Sequence, residues 1–277
     1  MSGDLHCHTL FSDGSTDYKD LLRFAKKIGL EYISITDHDT LEETDRITEY
    51  GNQVGINVIK GVEVSCRDPK TKRRVHLLCY NPINEGVLAD FVSKTLEKRT
   101  EVGKYIIEKI LLDYPLEYCD IEKYTKQSKS IYKSHIMRAF LDYGYDNAVY
   151  GDLYNHIFKN NREKYARSID YPSVYDALDV IKKSGSVCVL AHPSVYDTID
   201  LMKELAENGL IHGIELNHPR NTLKAKEIIV STAKKYDLIL TGGTDFHGFC
   251  SSGMTYPLGS FVTDDNNIQK LLEKDKL

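Results

Sequence analysis

Two histidines one residue apart, in Asp4-Leu5-His6-Cys7-His8-Thr9, are the first side chains here able to do chemistry. In an extended strand side chains alternate faces, so His6 and His8 project one way while Leu5 and Cys7 project the other. Two imidazoles aimed at one point suit a transition metal. At the other end of the chain Gly243-Thr244-Asp245-Phe246-His247 places Asp245 and His247 at the same spacing. His38, Glu63, His76 and His192 stand at or within strand-like runs between these two pairs. Each has a plain structural reading: His76 as a hydrogen-bonded core histidine, Glu63 as a salt-bridged strand end, Asp245 as a helix cap. Those readings must all hold at once if the set is not a metal site.

Elements must bring such distant residues together. Leu21, Leu22, Ala25 and Ile28 share a face of a helix over 17–29, and Tyr32–Thr36 alternates as a strand with Ile33 and Ile35 on one side and Ser34, Thr36 and His38 on the other. A helix from about Leu41 to Val54 precedes a strand expected over Val58–Val64, and Val75–Tyr80 reads as the next. Alternation predicts parallel pairing, with the ligand-type residues at the mouth where loops converge. From about 84 to 170 no strand is expected, only helices near 85–112, 119–127, 131–143 and 149–160, rich in Lys, Glu and Tyr. The alternation resumes with helix 173–184, strand 186–191, helix 197–208, strand 213–217, helix 221–236 and strand 238–242. The expected organisation is one α/β domain over 1–83 and 171–277, with an all-helical insertion over 84–170.

Composition narrows the function classes. With 41% apolar and 28% charged residues in 277, the chain reads as a soluble enzyme, and no run reaches the roughly 20 apolar residues of a membrane span. The net charge of −5 argues against a surface that wraps duplex nucleic acid, while leaving a small phosphorylated substrate or a nucleic-acid end open. Six cysteines without C-x-x-C or framework spacing predict reduced thiols in a cytoplasmic protein, and the first residues lack a signal peptide's basic and apolar regions.

His6-Cys7-His8-Thr9 with Ser12-Asp13-Gly14, Thr36-Asp37-His38-Asp39-Thr40, Gly61-Val62-Glu63-Val64-Ser65, His76, Ala191-His192-Pro193 and Gly243–His247 resemble, in order, the motifs of the PHP (polymerase and histidinol phosphatase) superfamily of metal-dependent phosphoesterases. The resemblance implies a distorted (β/α)7 barrel holding two or three divalent ions, manganese, iron or zinc. By motif position it implies the ligands His6, His8, Asp13, His38, Glu63, His76, His192, Asp245 and His247. Imidazole and carboxylate without thiolate suit those metals and leave Cys7 out. Nine ligands exceed one ion's needs, a carboxylate such as Glu63 or Asp245 can bridge two, and such a cluster generates hydroxide at neutral pH.

In the insertion, Lys133-Ser134-His135-Ile136-Met137-Arg138 resembles the Arg/Lys-x-His-x-x-Arg segment of the branch acting on nucleotides and short oligonucleotides, with Met137 where that branch has a small residue. His135 and Arg138 share a helical face and are expected, with Lys133, to bind a substrate phosphate. His218, in Glu215–Pro219, is expected to contact substrate or protonate a leaving group, or to be merely structural. Lys70, Lys72, Arg73 and Arg74 read as a solvated hairpin or loop rather than a nucleic-acid patch.

The function expected is hydrolysis by metal-bound hydroxide of a phosphomonoester on a small nucleotide, such as a 3',5'-bisphosphate. The alternatives are a 5'-3' exonuclease on short RNA or DNA ends, a histidinol-phosphate-type phosphatase and a non-catalytic metal-binding regulatory module. No membrane is expected as a partner, and no protein partner is inferable.

Overall fold

Residues 2–251 and 253–274 are described by the structure, a computed structural model of the chain. The first unit is β1 (Ser2–Cys7), α1 (Tyr18–Lys27) and β2 (Tyr32–Ile35). The Asp17 carboxylate caps α1 by accepting from Lys19 N–H, and Leu21, Leu22 and Ala25 pack with Ile33 and Ile35. Ser34 and Thr36 are thereby left on the face expected for them. After α2 (Thr44–Val54) comes the short β3 (Asn57–Val58), which completes a sheet of order β3-β2-β1-β9, where β9 (Thr263–Asp264) lies antiparallel to β1.

The second sheet runs β4 (Gly61–Arg67), β5 (Arg74–Tyr80), β6 (Val187–Leu190), β7 (Gly213–Asn217), β8 (Ile239–Gly242). Two expectations are corrected here. The single strand expected over Val58–Val64 is split between the two sheets, and Gly61 stands at the change of sheet. A Cβ there would meet Ser34 Oγ at 2.5 Å and Thr36 Cγ2 at 2.9 Å, so only glycine lets the strands approach. Uniformly parallel pairing fails as well: β4–β5 and β5–β6 are antiparallel, and only β6–β7–β8 run parallel within this sheet. The connection 68–73 is a hairpin, shorter than the dozen or so residues that a parallel crossover requires.

No closed sheet forms among the described residues. The two sheets meet instead at single bridges, Cys7 with Phe246 and His38 with Glu63, and at the Tyr80 hydroxyl, which donates to the Leu5 carbonyl at 2.8 Å. Both bridges fall at or beside residues of the predicted ligand set. Leu5, Leu78, Tyr80, Val189 and Ile239 form a core joining the two sheets.

Between β5 and α8 (Val174–Ser184) stand α3 (Glu85–Asp113), α4 (Tyr118–Thr125), α5 (Lys133–Asp142), α6 (Asp152–Asn155), a π turn over 156–160 and α7 (Arg162–Tyr165). The first three match the expected helices within about two residues, while the one expected over 149–160 shrinks to α6 and the π turn. These helices have their own apolar core, in which Ile110, Ile121, Met137 and Phe140 are fully buried. The larger residue at 137 is thus absorbed by packing. Arg99 of α3 reaches Asp39, beyond β2, at 2.6 Å, and Asp39 in turn accepts from Ser65 N–H at 2.8 Å. The remaining helices are α9 (Ile199–Glu207), α10 (Leu223–Tyr236) and α11 (Asp265–Lys274). No described helix is long and apolar enough to cross a membrane.

Candidate metal centre

Glu63 is the hub of the predicted ligand set. Its Oε2 lies 3.2 Å from His6 Nε2, 3.2 Å from His8 Nε2 and 3.1 Å from His38 Nδ1; its Oε1 lies 2.7 Å from His76 Nδ1 and 2.9 Å from His192 Nε2. Asp245 Oδ1 faces the first two imidazoles again, at 3.4 Å from His6 Nε2 and 3.3 Å from His8 Nε2. Asp13 Oδ1 closes the far side, 3.2 Å from His247 Nε2. Three overlapping groups result: His6, His8, Glu63 and Asp245; His8, Asp13, His38 and His247; and His38, Glu63 and His76, with His192 on the same Glu63 oxygen. All nine predicted side chains therefore converge. Strand alternation accounts for the first pair, and Cys7 points into the apolar core beside Ile33 and Ile35.

The geometry fits cations better than hydrogen bonds. His6 Nε2, His8 Nε2 and His38 Nδ1 are buried and make no hydrogen bond, although carboxylate oxygens stand 3.1–3.4 Å away. Ligands about 2.1 Å from a shared ion are about 3.0–3.4 Å apart along the edges of an octahedron or tetrahedron. Burial alone would lower the His8 imidazole, but the facing carboxylates of Asp245 and Glu63 raise it to about 10. Burial alone would raise the Glu63 carboxyl, yet His76, His38 and His6 hold it well below the usual range. A divalent ion takes the place of the proton in such a set.

A second layer aims the ligands. Glu215 Oε1 accepts from His6 Nδ1 at 2.9 Å, which leaves the lone pair of Nε2 turned inward, and Oε2 accepts from the backbone N–H of His192 at 2.8 Å. Sequence reasoning passed over Glu215 as a member of the site. The available signal was a carboxylate inside the buried strand Gly213–Asn217. Asp37 likewise ties down the loop after β1, accepting from Thr9 N–H at 2.8 Å, Thr9 Oγ1 at 2.6 Å and Ser12 Oγ at 2.5 Å. Gly243 is required by contact, since a Cβ there would lie 2.3 Å from that of His6. His192 and Asp245 take left-handed backbone conformations, φ 25° and 53°, of the kind that strained site residues adopt at a cost of about 1–3 kcal/mol. Glu215→Ala is expected to weaken metal binding by about 10–100-fold, as loss of such outer partners does. Metal titration of the folded variant checks this, and unchanged affinity would remove Glu215 from the centre.

The four substrate-binding candidates separate. Lys133 reaches a cavity wall, where burial and the nearby Arg74 and Arg162 push its amine down to about 8. His135 is spent internally: its Nδ1 accepts from Tyr132 N–H at 3.3 Å and its Nε2 donates to the Ser12 carbonyl at 3.0 Å. Burial pushes that ring down to about 4. Arg138 stacks on Tyr124, 4.1 Å from the ring centre, and Phe249, and lines neither cavity near the centre. The shared face of His135 and Arg138 is thus a packing face, His135 standing against the backbone beside Asp13, and neither side chain lines the cavities at the centre. His218 Nδ1 accepts from Arg220 N–H at 3.1 Å and its Nε2 lies 3.4 Å from Asp245 Oδ2. That ring steadies Asp245. Arg220, which sequence reasoning did not single out, instead faces the cavity and donates to Asp245 Oδ2 at 2.8 Å.

The centre opens into a cavity of about 390 Å³ walled by Arg74, Arg99, Tyr150, Tyr154, Tyr196 and Arg220. Residues 4–174 match the family model described as the PHP domain. The chain belongs to the PHP family. It is 36% identical over 251 residues to the phosphoribosyl 1,2-cyclic phosphate 1,2-diphosphodiesterase of Eggerthella lenta, covering 90% of this chain and 95% of that one. It is 24% identical to the 5'-3' exoribonuclease Rnm of Escherichia coli, covering 89% and 85% of the two chains. A solved structure from Bifidobacterium adolescentis, assigned as a metal-dependent phosphoesterase, superposes with a TM-score of 0.86 at 26% identity, covering 98% of this chain and 96% of that one. This PHP protein is therefore a hydrolase, a metal-dependent phosphoesterase, and the reading as a non-catalytic module is set aside.

Proposed function

We propose that the protein hydrolyses a phosphate ester carried on a ribose, its best substrate being a small nucleotide with a 5'-phosphate such as a 3',5'-bisphosphate. The nine side chains His6, His8, Asp13, His38, Glu63, His76, His192, Asp245 and His247 hold two or three divalent ions in this reading. The observation that carries it is the convergence of those side chains on Glu63 at the floor of a cavity with arginines and tyrosines on its walls. Bound divalent ions supply Lewis acidity and lower the pKa of a coordinated water. The chain's own residues do the rest. Arg220 and Arg74 give the phosphate's remaining charge a cationic wall, and Tyr150 and Tyr154 offer ring faces to a ribose or base.

Among the described residues, no serine or cysteine on the cavity wall is set up as a nucleophile. Burial pushes the Cys250 thiol up to about 12, Ser65 Oγ accepts from Arg99 at 3.2 Å, and Ser251 Oγ donates to the Gly248 carbonyl at 3.0 Å. None of these is paired with a general base.

A second reading, cleavage of a cyclic ribose phosphate, is favoured by the higher identity to the Eggerthella protein over nearly that protein's whole length. Purified protein loaded with Mn, Fe or Zn and offered adenosine 3',5'-bisphosphate, AMP, a cyclic ribose phosphate, 5'-phosphorylated RNA and p-nitrophenyl phosphate tests both. We expect a nucleotide to exceed p-nitrophenyl phosphate in kcat/KM by at least about tenfold, one lost contact with a charged group being worth about 1.5–3 kcal/mol. Release of phosphate marks a monoesterase and release of mononucleotides an exonuclease. Turnover of none of these esters with any of the three metals would overturn the proposal.

A further inference from the structure

Strand ladders fix His6, Glu63 and His76, but Asp13 and His38 stand on loops, beyond the ends of β1 and β2. Backbone outside a ladder keeps its place only through other contacts. These two loop ligands belong together to one group, His8, Asp13, His38 and His247. Its spacings are wide: Asp13 Oδ1 lies 3.9 Å from His8 Nδ1 and Asp13 Oδ2 lies 4.0 Å from His38 Nε2, against 2.7–3.2 Å around Glu63. A group spread in this way depends on how its loops are held.

Donors from the helical insertion hold both loops. The Phe11 carbonyl accepts from Lys129 N–H at 3.2 Å and from Ser128 Oγ at 3.3 Å, and the Ser12 carbonyl accepts from His135 Nε2 at 3.0 Å. On the other loop, Tyr132 Oη donates to the His38 carbonyl at 3.1 Å, and Arg99 Nη2 donates to the buried carboxylate of Asp39 at 2.6 Å. The Arg99 guanidinium in turn lies 4.8 Å from the centre of the Tyr132 ring, so the two donors brace each other. Asp37 already ties the loops together through Thr9 and Ser12, which makes one unit of them, and the insertion grips that unit from outside. The role of His135 follows from its chemistry. An apolar side chain would fill its place without the cost of burying two ring nitrogens, and both nitrogens are spent on backbone, one of them next to Asp13.

We propose that His135, Tyr132 and Arg99 are positioning residues for the metal centre: through them the insertion clamps the loops of Asp13 and His38 and sets the affinity for the ion shared by His8, Asp13, His38 and His247. The ion of the group His6, His8, Glu63 and Asp245 depends on them far less, since His6 and Glu63 lie in strands and His8 directly follows one. The assignment rests on the metal-centre reading above and goes beyond it in naming what holds one part of the centre in place.

The test compares the full chain with His135→Ala, Tyr132→Phe, Arg99→Gln and Arg99→Lys. Tyr165→Phe serves as control, since it removes a hydrogen bond to Asp113 within the insertion that reaches neither loop. Two readouts are independent of turnover: stepwise titration of the chelated proteins with Mn by calorimetry, and amide hydrogen exchange over 9–14 and 37–43 in the metal-free proteins. We expect His135→Ala and Arg99→Gln each to weaken one binding step by at least tenfold and Tyr132→Phe to weaken it by at least threefold, the other steps staying within twofold. Arg99→Lys, which keeps a cation beside Asp39, should recover most of what Arg99→Gln loses. Exchange in both segments should rise at least fivefold in His135→Ala and Arg99→Gln and stay unchanged in the control. Should His135→Ala fail to fold, Tyr132→Phe, which removes a single oxygen, decides. Unchanged exchange with every step unchanged overturns the proposal, as does an equal weakening of all steps that the control shares. If the unaltered protein binds no Mn, faster exchange in the variants leaves the clamp standing and the metal reading falls, while unchanged exchange overturns both.

Discussion

Glu63→Ala is expected to lose bound metal and to lower kcat/KM on any phosphate ester by well over a hundredfold, more than the ~10–100-fold typical of losing an outer partner of a metal site. The reason is its position. One carboxylate faces five imidazoles, those of His6, His8, His38, His76 and His192, at 2.7–3.2 Å, and belongs to two of the three ligand groups. Its removal deprives two sites at once of an anionic ligand and leaves the imidazoles facing one another across a buried space. Glu63→Gln keeps the side-chain volume and should fail in the same direction, which separates loss of charge from loss of packing. Elemental analysis per chain, alongside turnover, decides the matter: full metal content with normal turnover in either variant would contradict the central role of Glu63.

Stripping the metals from the unaltered protein is expected to abolish hydrolysis and to lower its Tm by roughly 10 °C or more. A ligand that binds only the folded state contributes about 4 kcal/mol when present at about 1,000 times its Kd. For a chain somewhat larger than 250 residues each kcal/mol moves Tm by about 2 °C, and more than one ion is expected here. Without them the centre gathers nine ionisable side chains, five of them buried, around carboxylates that must be neutralised by protons instead. Readdition of Mn, Fe or Zn should restore both readouts and so rank the metals. A chelated protein that keeps its activity and its melting temperature would show that the cluster is not a metal centre.

Much of this centre was legible along the chain because coordination chemistry and strand geometry are local. The alternation of β1 sends His6 and His8 one way and Cys7 the other, the runs around Glu63, His76 and His192 read as strands without help from distant residues, and the ligand types alone exclude a thiolate site. The same holds for α3 and α5, whose apolar periodicity runs over enough turns to mark them. What only the tertiary structure decided involves pairs of segments far apart in sequence. Whether the sheets close depends on how Cys7 of β1 meets Phe246 and how His38, past the end of β2, meets Glu63, and there they touch by single bridges. The division of Val58–Val64 between two sheets depends on the close approach of Ser34 and Thr36 to Gly61. The orientation of α5 went the same way. Spacing puts His135 and Arg138 on one face of α5, but packing sets that face against Ser12, Tyr124 and Phe249. Arg67 and Arg162, separated by nearly a hundred positions, line one cavity while His135 and Arg138 line none near the centre, because a helix's rotation about its axis is set by what it buries and not by its own spacing.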